Sequence, residues 1–374
     1  MSSDYMCKHL ARFFQLLGAS KYDVPYRIST QWFCNYLSGR SFSVSFNAQT
    51  WQNIDMDSRL PQGSTLGQLM YIIYASELQV VVERHGGVFH SFADDTQLSK
   101  ATRVEDIQAA KQAIVNCIKS IQDWSSSHRL KLNAAKSEVI WLGTRQQLAK
   151  LNEADRTLQI DNAVLKPSTV IRNLGVLIDE QLSMDTNARQ CAKTCFFHLR
   201  RIRQLHRYVD CETLYMLVRA LVLSRLDYCN SLFASSFKSR IKRLQRVQDA
   251  AARLLCNAPP RAHASSLRKQ LHWLPVSNRI QYKLCTIMFD VQHDRAPEYI
   301  MDLCVPCQDS RLRSAARGNF EVRGSKLKLT AGDFSVAGPH HYNTLPTLLR
   351  QAGLRVTFCS KLKTDFFSLS YNVV

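Results

Sequence analysis

The 374 residues are enough for two or three domains with a sizeable core. At 45% hydrophobic and 21% charged the chain is neither disordered nor membrane-spanning. Its richest apolar run, "LYMLVRALVLSRL" from Leu214, is cut by Arg219 and Arg225. Lys and Arg number 49 against 30 Asp and Glu, a net +19 that favours a polyanionic partner, nucleic acid before an anionic membrane surface.

The opening "MSSDYMCKHLARFF" lacks the apolar core of a signal peptide, so an intracellular protein is expected. Next, "TQWFCNYLSGRSFSVSF" (Thr30 to Phe46) predicts a helix ending near Gly39, then a strand alternating Phe42, Val44 and Phe46. "RLPQGSTLGQLMYIIYASELQVVVERHGG" predicts a Pro-Gln-Gly loop and one long apolar helix stopping at Gly86-Gly87. "VFHSF" and "TQLSK" flank Ala93-Asp94-Asp95 as a hairpin. Thr102 to Glu105 has the spacing of a capping box, followed by Ile107, Ala110, Ile114, Ile118 and Ile121 at helical period as far as the serines at 125–127. "SEVIWLG" (137–143) and "VIRNLGVLID" (170–179) are predicted strands. The order suits an α+β fold with an antiparallel layer.

Beyond Asp185 three successive helices are predicted: "DTNARQCAKTCFFHLRRIRQLHRY", "CETLYMLVRALVLSRLDYCNSLF" and "KSRIKRLQRVQDAAARLLCNA". From Phe196 to Cys256 there are 12 basic and 4 acidic residues, a local balance of +8. The expected division is a mixed layer over 1–180, a basic helical region over 181–258 and a C-terminal region over 259–374. The 12 cysteines are scattered without a paired framework and are expected to be reduced and buried. Cys304 and Cys307 form a lone CxxC without the further spacing of a zinc finger.

Asp94 and Asp95 carry the chemistry. Successive strand residues point to opposite faces, so one carboxylate would coordinate a cation and the other would deepen the negative field. Mg²⁺ suits such a site, because it keeps several waters and takes one or two carboxylates plus substrate phosphates. An isolated Asp-Asp in a turn is common, so the neighbouring blocks decide its meaning. "PQGSTLG" lies upstream, and "LKLNAAKSEVIWLG" lies downstream beyond a helix.

These blocks, in this order, resemble reverse transcriptases of the non-LTR (LINE-type) retrotransposon branch. The resemblance makes Phe92-Ala93-Asp94-Asp95 the family's catalytic and metal-binding [YF]xDD. It makes Pro61, Gln62, Gly63 and Ser64 the loop lining the template and nucleotide site, and places Lys136 near the nucleotide phosphates. "NLGVLID" resembles the block supporting the primer end. "SRLDYCNSLF", "RLQRVQDAAARLL", "LHWLPVSNRIQYKL" and, more weakly, "GDFSVAGPHHYNTLP" resemble thumb and C-terminal segments of the same elements. The implied fold is a partial palm, an antiparallel sheet with helices, followed by a mainly helical thumb and C-terminal region. The implied partners are RNA or DNA on the basic thumb and a nucleoside triphosphate at a competent site, with no membrane. From the residues themselves, Gly63 would let a nucleotide approach the backbone and Ser64 would cap the next helix.

The family's other metal carboxylate comes from an AFDxVDH motif preceding the "WFxxYLSGR" block, which here is "WFCNYLSGR". Reading back, the expected Asp falls at or just before Met1, and Asp4 fits the motif's second, non-ligand Asp better. Asp23, Asp55 and Asp57 lie on the wrong side of the segment. Gln68, where the family usually has proline, is a second departure. The expectation is an N-terminally truncated reverse-transcriptase-like chain with Mg²⁺ binding weakened or lost and no polymerase activity of its own. The alternative is a non-enzymatic basic nucleic-acid-binding protein.

Overall fold

The computed structural model describes residues 31–33, 35–36, 38–55, 63–128, 130–133, 136–160, 163–234, 238–307, 318–324 and 332–372. They form two compact units, one of the described residues up to Val139 together with Gln146–Pro167, the other of Ile140–Arg145 with Ser168 onward. The fold is α+β. Its strands pair as five separate two-stranded antiparallel ladders among the described residues, not as the single layer the element order suggests.

In the first unit, Ser41–Phe42 pairs with Ile54–Asp55 and Ser45–Phe46 with Gln49–Thr50, so the expected continuous strand is broken. The break lies at Val44, whose carbonyl accepts the Trp51 N–H at 2.9 Å. Helices α1 (Gly67–Ala75) and α2 (Glu77–Glu83) replace the single expected helix. Ser76 divides them. Its hydroxyl donates to Ile73 O at 2.7 Å, a local bond that competes with the helical ladder. α1 buries Met70, Ile73 and Tyr74, with Phe33, Leu66 and Leu130 against them.

Strands β1 (Val88–Phe92) and β2 (Asp95–Ser99) form the predicted hairpin, in register from Val88↔Ser99 to Phe92↔Asp95. Phe89 and Leu98 face each other and pack on Leu78 and Val82 of α2 and on Cys117 and Ile121 of α3 (Ile107–Ser127). Gly87 permits this approach. A Cβ there would lie 2.8 Å from Leu98 Cδ1 and 3.2 Å from Val82 Cγ1. α3 has the predicted period and end, but it starts at Ile107. The Thr102 hydroxyl donates to Arg103 O, so the expected capping box does not form. β3 (Leu158–Ile160) and β4 (Ala163–Leu165) make a second ribbon in this unit, and the predicted strand at 137–143 shows one bridge, Val139 to Pro167.

The second unit opens with β5 (Val170–Asn173) and β6 (Val176–Asp179), a hairpin where one strand is predicted. Leu174 and Gly175 reverse the chain, with φ of 44° and 83°. Asn187 of α4 (Asp185–Leu205) accepts the Leu177 N–H at 3.2 Å and ties β6 to that helix. α4 buries Ala188, Ala192, Cys195, Leu199 and Ile202, one stripe at helical period. It packs with α5 (Cys211–Val218) and α6 (Lys238–Leu255). The long predicted helix from Cys211 is α-helical only to Val218, then runs through a π-helical segment at Arg219–Leu223 and a short α-turn at Ser224–Asp227.

α7 (Val276–Gln292) joins two cores, giving Ile280 and Leu284 to the α4–α6 core and Cys285, Met288 and Phe289 to a second. That second core includes Tyr342 of α8 (Phe334–Asn343) and Phe358, Leu362 and Phe366 of α9 (Arg355–Tyr371). No disulfide joins the described cysteines, and Cys117, Cys195, Cys285 and Cys304 are buried. Burial pushes the Cys285 thiol up to about 12. No described helix is long and apolar enough to cross a membrane.

Candidate functional site

The β1–β2 hairpin turns through Ala93 and Asp94. Ala93 holds φ at +54° and Asp94 does not share that left-handed geometry, the φ pattern of a type II′ turn, in which only the first central residue has positive φ. The period of two puts Val88, His90 and Phe92 on the face opposite Phe89, and Asp95 joins them as the cross-strand partner of Phe92. That face is open, with Phe92 67% exposed. Asp94 and Asp95 are both exposed, one at the turn and one on the open face.

Tyr71 of α1 senses this tip electrostatically. Burial, and then the negative charge of Asp94, raise its phenol above the ordinary value of 10.0. α1 leads directly from the loop containing Gly63 and Ser64. Gly63 has φ +81°, and a Cβ there would meet open space, so its backbone is accessible as well as left-handed. Ser64 does not cap α1 with its side chain as expected. Its carbonyl accepts the Gly67 N–H at 3.1 Å, while its hydroxyl accepts from Tyr36 Oη at 2.8 Å. That bond joins the "WFCNYLSGR" block to the loop. Trp32 stacks on Tyr36 at 5.9 Å, and the Arg40 guanidinium lies 3.8 Å from the Tyr36 ring centre.

Pro61 and Gln62 lie outside the described residues. Lys136 is exposed in a turn closed by its N–H to Asn133 O at 3.1 Å. Thus Asp94, Asp95 and Phe92 share the hairpin tip, and Gly63 and Ser64 share the α1 approach. Tyr71 and Tyr36 escaped the sequence reading, because their partners lie far along the chain.

The donors at the tip suit one hard cation that keeps water and phosphate oxygens among its ligands. Among the described residues, no group of three or more His, Cys, Asp or Glu is arranged to hold a metal.

The helical unit has a different electrostatic character. Several of its acids make structural bonds. Asp185 bonds to Arg189 and Arg243, Asp227 takes Arg279 Nε at 2.8 Å, Asp249 pairs with Arg268, and Asp210 caps α5 by accepting Thr213 N–H at 2.7 Å. The blocks singled out in the sequence interlock here. Buried Gln248 donates to Leu274 O at 2.9 Å, and Gln245 accepts the Val276 N–H at 2.9 Å. Arg200, Arg201, Arg203, Arg207, Lys242 and Arg246 remain exposed. Burial, then the charges of Arg225 and Arg201, lower the His198 imidazole, a mark of that positive field.

Sequence comparison shows which proteins the chain is similar to. Residues 14–178 match the family described as "Reverse transcriptase (RNA-dependent DNA polymerase)". The chain is 24% identical over 254 residues to "Probable RNA-directed DNA polymerase from transposon X-element" of Drosophila melanogaster. It is 19% identical over 260 residues to "RNA-directed DNA polymerase from mobile element jockey" of the same organism. Each alignment covers 66% of this chain and 27% of the relative, so the chain spans about a quarter of those proteins. No solved structure matches. These likenesses are to RNA-directed DNA polymerases of mobile elements, and the match to the reverse-transcriptase family is confined to residues 14–178.

Proposed function

We propose that the first unit is part of a reverse-transcriptase palm and that the basic helices after residue 180 act as its thumb. The observation that supports this reading is electrostatic: Tyr71, on the helix that follows the Gly63–Ser64 loop, feels the charge of Asp94 at the hairpin tip. Asp94 and Asp95 would hold Mg²⁺, which when bound neutralises charge on phosphate oxygens during nucleotidyl transfer. Pro61, Gln62 and Gly63 would offer backbone to nucleotide and template, with Ser64 fixed by Tyr36. Phe92 would lie beside the nucleotide, and Lys136 would meet its phosphates.

Within these 374 residues the family's AFDxVDH carboxylate is not found, and the open face of β1–β2 is where a further strand would pair or pack. The chain by itself therefore binds metal weakly and does not polymerise. A carboxylate supplied from another segment would complete the centre. Water-proton relaxation with Mn²⁺ tests the assignment: the wild-type chain enhances relaxation and Asp94→Ala removes most of the effect. Equal enhancement in both would refute metal binding at the tip.

A second reading, a non-enzymatic nucleic-acid-binding protein, draws on one observation. Several of the helical unit's aspartates are held in ion pairs or a cap while Arg200, Arg201, Arg203, Arg207 and Arg246 stay exposed, so the surface suits phosphate backbone without any need for a catalytic centre.

A further inference from the structure

The helical unit contains a concavity of its own. It is a cleft of about 710 Å³, within the usual range for small-molecule sites, between the irregular stretch after α5, the loop entering α7, and α9. Four Arg and Lys side chains line it; besides Arg279, which pairs with Asp227, these are Arg219, Lys283 and Lys363, all exposed and with no ion pair among the described residues. Asp227, the one carboxylate in its wall, is taken by Arg279. The cleft is therefore an electropositive site.

Its floor carries groups that a phosphate alone would not use. Trp273 and Asn230 are each 4% exposed, and the indole Nε1 and amide Oδ1 have no hydrogen-bond partner. Asn230 Nδ2 makes a long contact of 3.5 Å with Asp227 Oδ1, and Asn230 Oδ1 is the orphan. A buried donor and a buried acceptor are both costly to leave unmet. One is a donor and the other an acceptor, the types that a heterocycle with an acceptor and an amino group would satisfy. The Tyr215 ring, 6.5 Å from Trp273 and inclined at 44°, adds an aromatic wall. The π-helical segment Arg219–Leu223 turns Arg219 into the same cleft, and such bulges concentrate at functional sites.

We infer that this cleft binds one nucleotide unit, its base against Trp273, Asn230 and Tyr215 and its phosphate on Arg219, Lys283 and Lys363. The unit is either a free mononucleotide or an unpaired nucleotide of a strand. The site is independent of the hairpin chemistry, so its failure would leave the polymerase reading standing.

Equilibrium dialysis on the full chain distinguishes the sources, with adenosine 5′-monophosphate, adenosine, inorganic phosphate, a short single-stranded oligoadenylate and a duplex of equal length as probes. The variants are Arg219→Ala and Lys283→Ala, both at exposed positions, and Trp273→Phe, which keeps the ring bulk but removes Nε1. A free-nucleotide site binds the monophosphate at least about tenfold more tightly than adenosine or phosphate, and each variant weakens it by about tenfold. A strand site shows no mononucleotide binding, but its variants weaken the single strand by the same factor and leave the duplex unchanged. Phosphate binding as tightly as the monophosphate would overturn the assignment. So would a mononucleotide, or a single strand where no mononucleotide binds, unaffected by the variants, or equal losses for single strand and duplex.

Discussion

The Tyr71 phenol is raised above its ordinary value by burial and by the charge of Asp94, which ties the helix after the Gly63–Ser64 loop to the hairpin tip. Asp94→Asn should therefore lower the Tyr71 pKa toward 10.0 without restoring it fully, because burial is the larger cause. A phenol raised in the folded state stabilises the fold below its unfolded pKa and loses that contribution as pH climbs through the folded value. Titration of the Tyr71 ring by NMR in both proteins measures the shift. An unchanged Tyr71 would separate α1 from the tip.

Gly87→Ala should destabilise the first unit by about 1–3 kcal/mol, since the added methyl collides with Leu98 and Val82 where the hairpin seats on α2. Amide exchange should accelerate across β1 and β2. Protection equal to wild type would mean the hairpin is not held at this point.

Asp185 gives the helical unit its acid sensitivity. Burial alone would raise its carboxyl, but hydrogen bonds and charge from Arg189 and Arg243 outweigh this and hold it below 3.8. A depressed carboxyl stabilises the fold above its unfolded pKa and loses that stabilisation as pH falls through the folded one. Asp185→Asn should thus lower thermal stability at neutral pH and converge with wild type below about pH 4. A constant difference at all pH values would contradict the assignment.

Gln248→Ala removes the buried amide that holds the Leu274 carbonyl at the entry to α7, and should cost about 1–3 kcal/mol in urea unfolding. Its effect should be strongly non-additive with Gln245→Ala, because the two side chains share one network. Simple additivity would show that they act independently.

Neutralising exposed Arg200 and Arg203 on α4 should weaken single-stranded RNA binding and flatten its logarithmic salt dependence by about 0.7 per lost contact. Filter binding across a salt series reports both. A lower affinity with an unchanged slope would indicate a fold defect instead of lost phosphate contacts.

The sequence made the long amphipathic helices legible, as α3 and α4 show, because many apolar residues repeat at one period. It missed reversals that depend on a few residues. Ser76 divides an apolar run through one hydroxyl bond, and Leu174-Gly175 folds the run at 170–179 into a hairpin. The run's burial against α4 is a tertiary choice that alternation cannot reveal. Asp94 and Asp95 stood out in the sequence as chemistry, and the downstream blocks stood out by resemblance. Their physical content did not. Gln245, Gln248 and Asp249 proved to hold the start of α7, and Tyr71 and Tyr36 join segments distant in the chain.

Primer extension on an RNA template with Mg²⁺, using the 374-residue chain and its Asp94→Ala variant, bears most directly on the central claim. The account predicts no Asp94-dependent product from the chain alone, with salt-sensitive RNA binding equal in both proteins. DNA synthesis by the chain alone that disappears in Asp94→Ala would show a complete centre within these residues and contradict it.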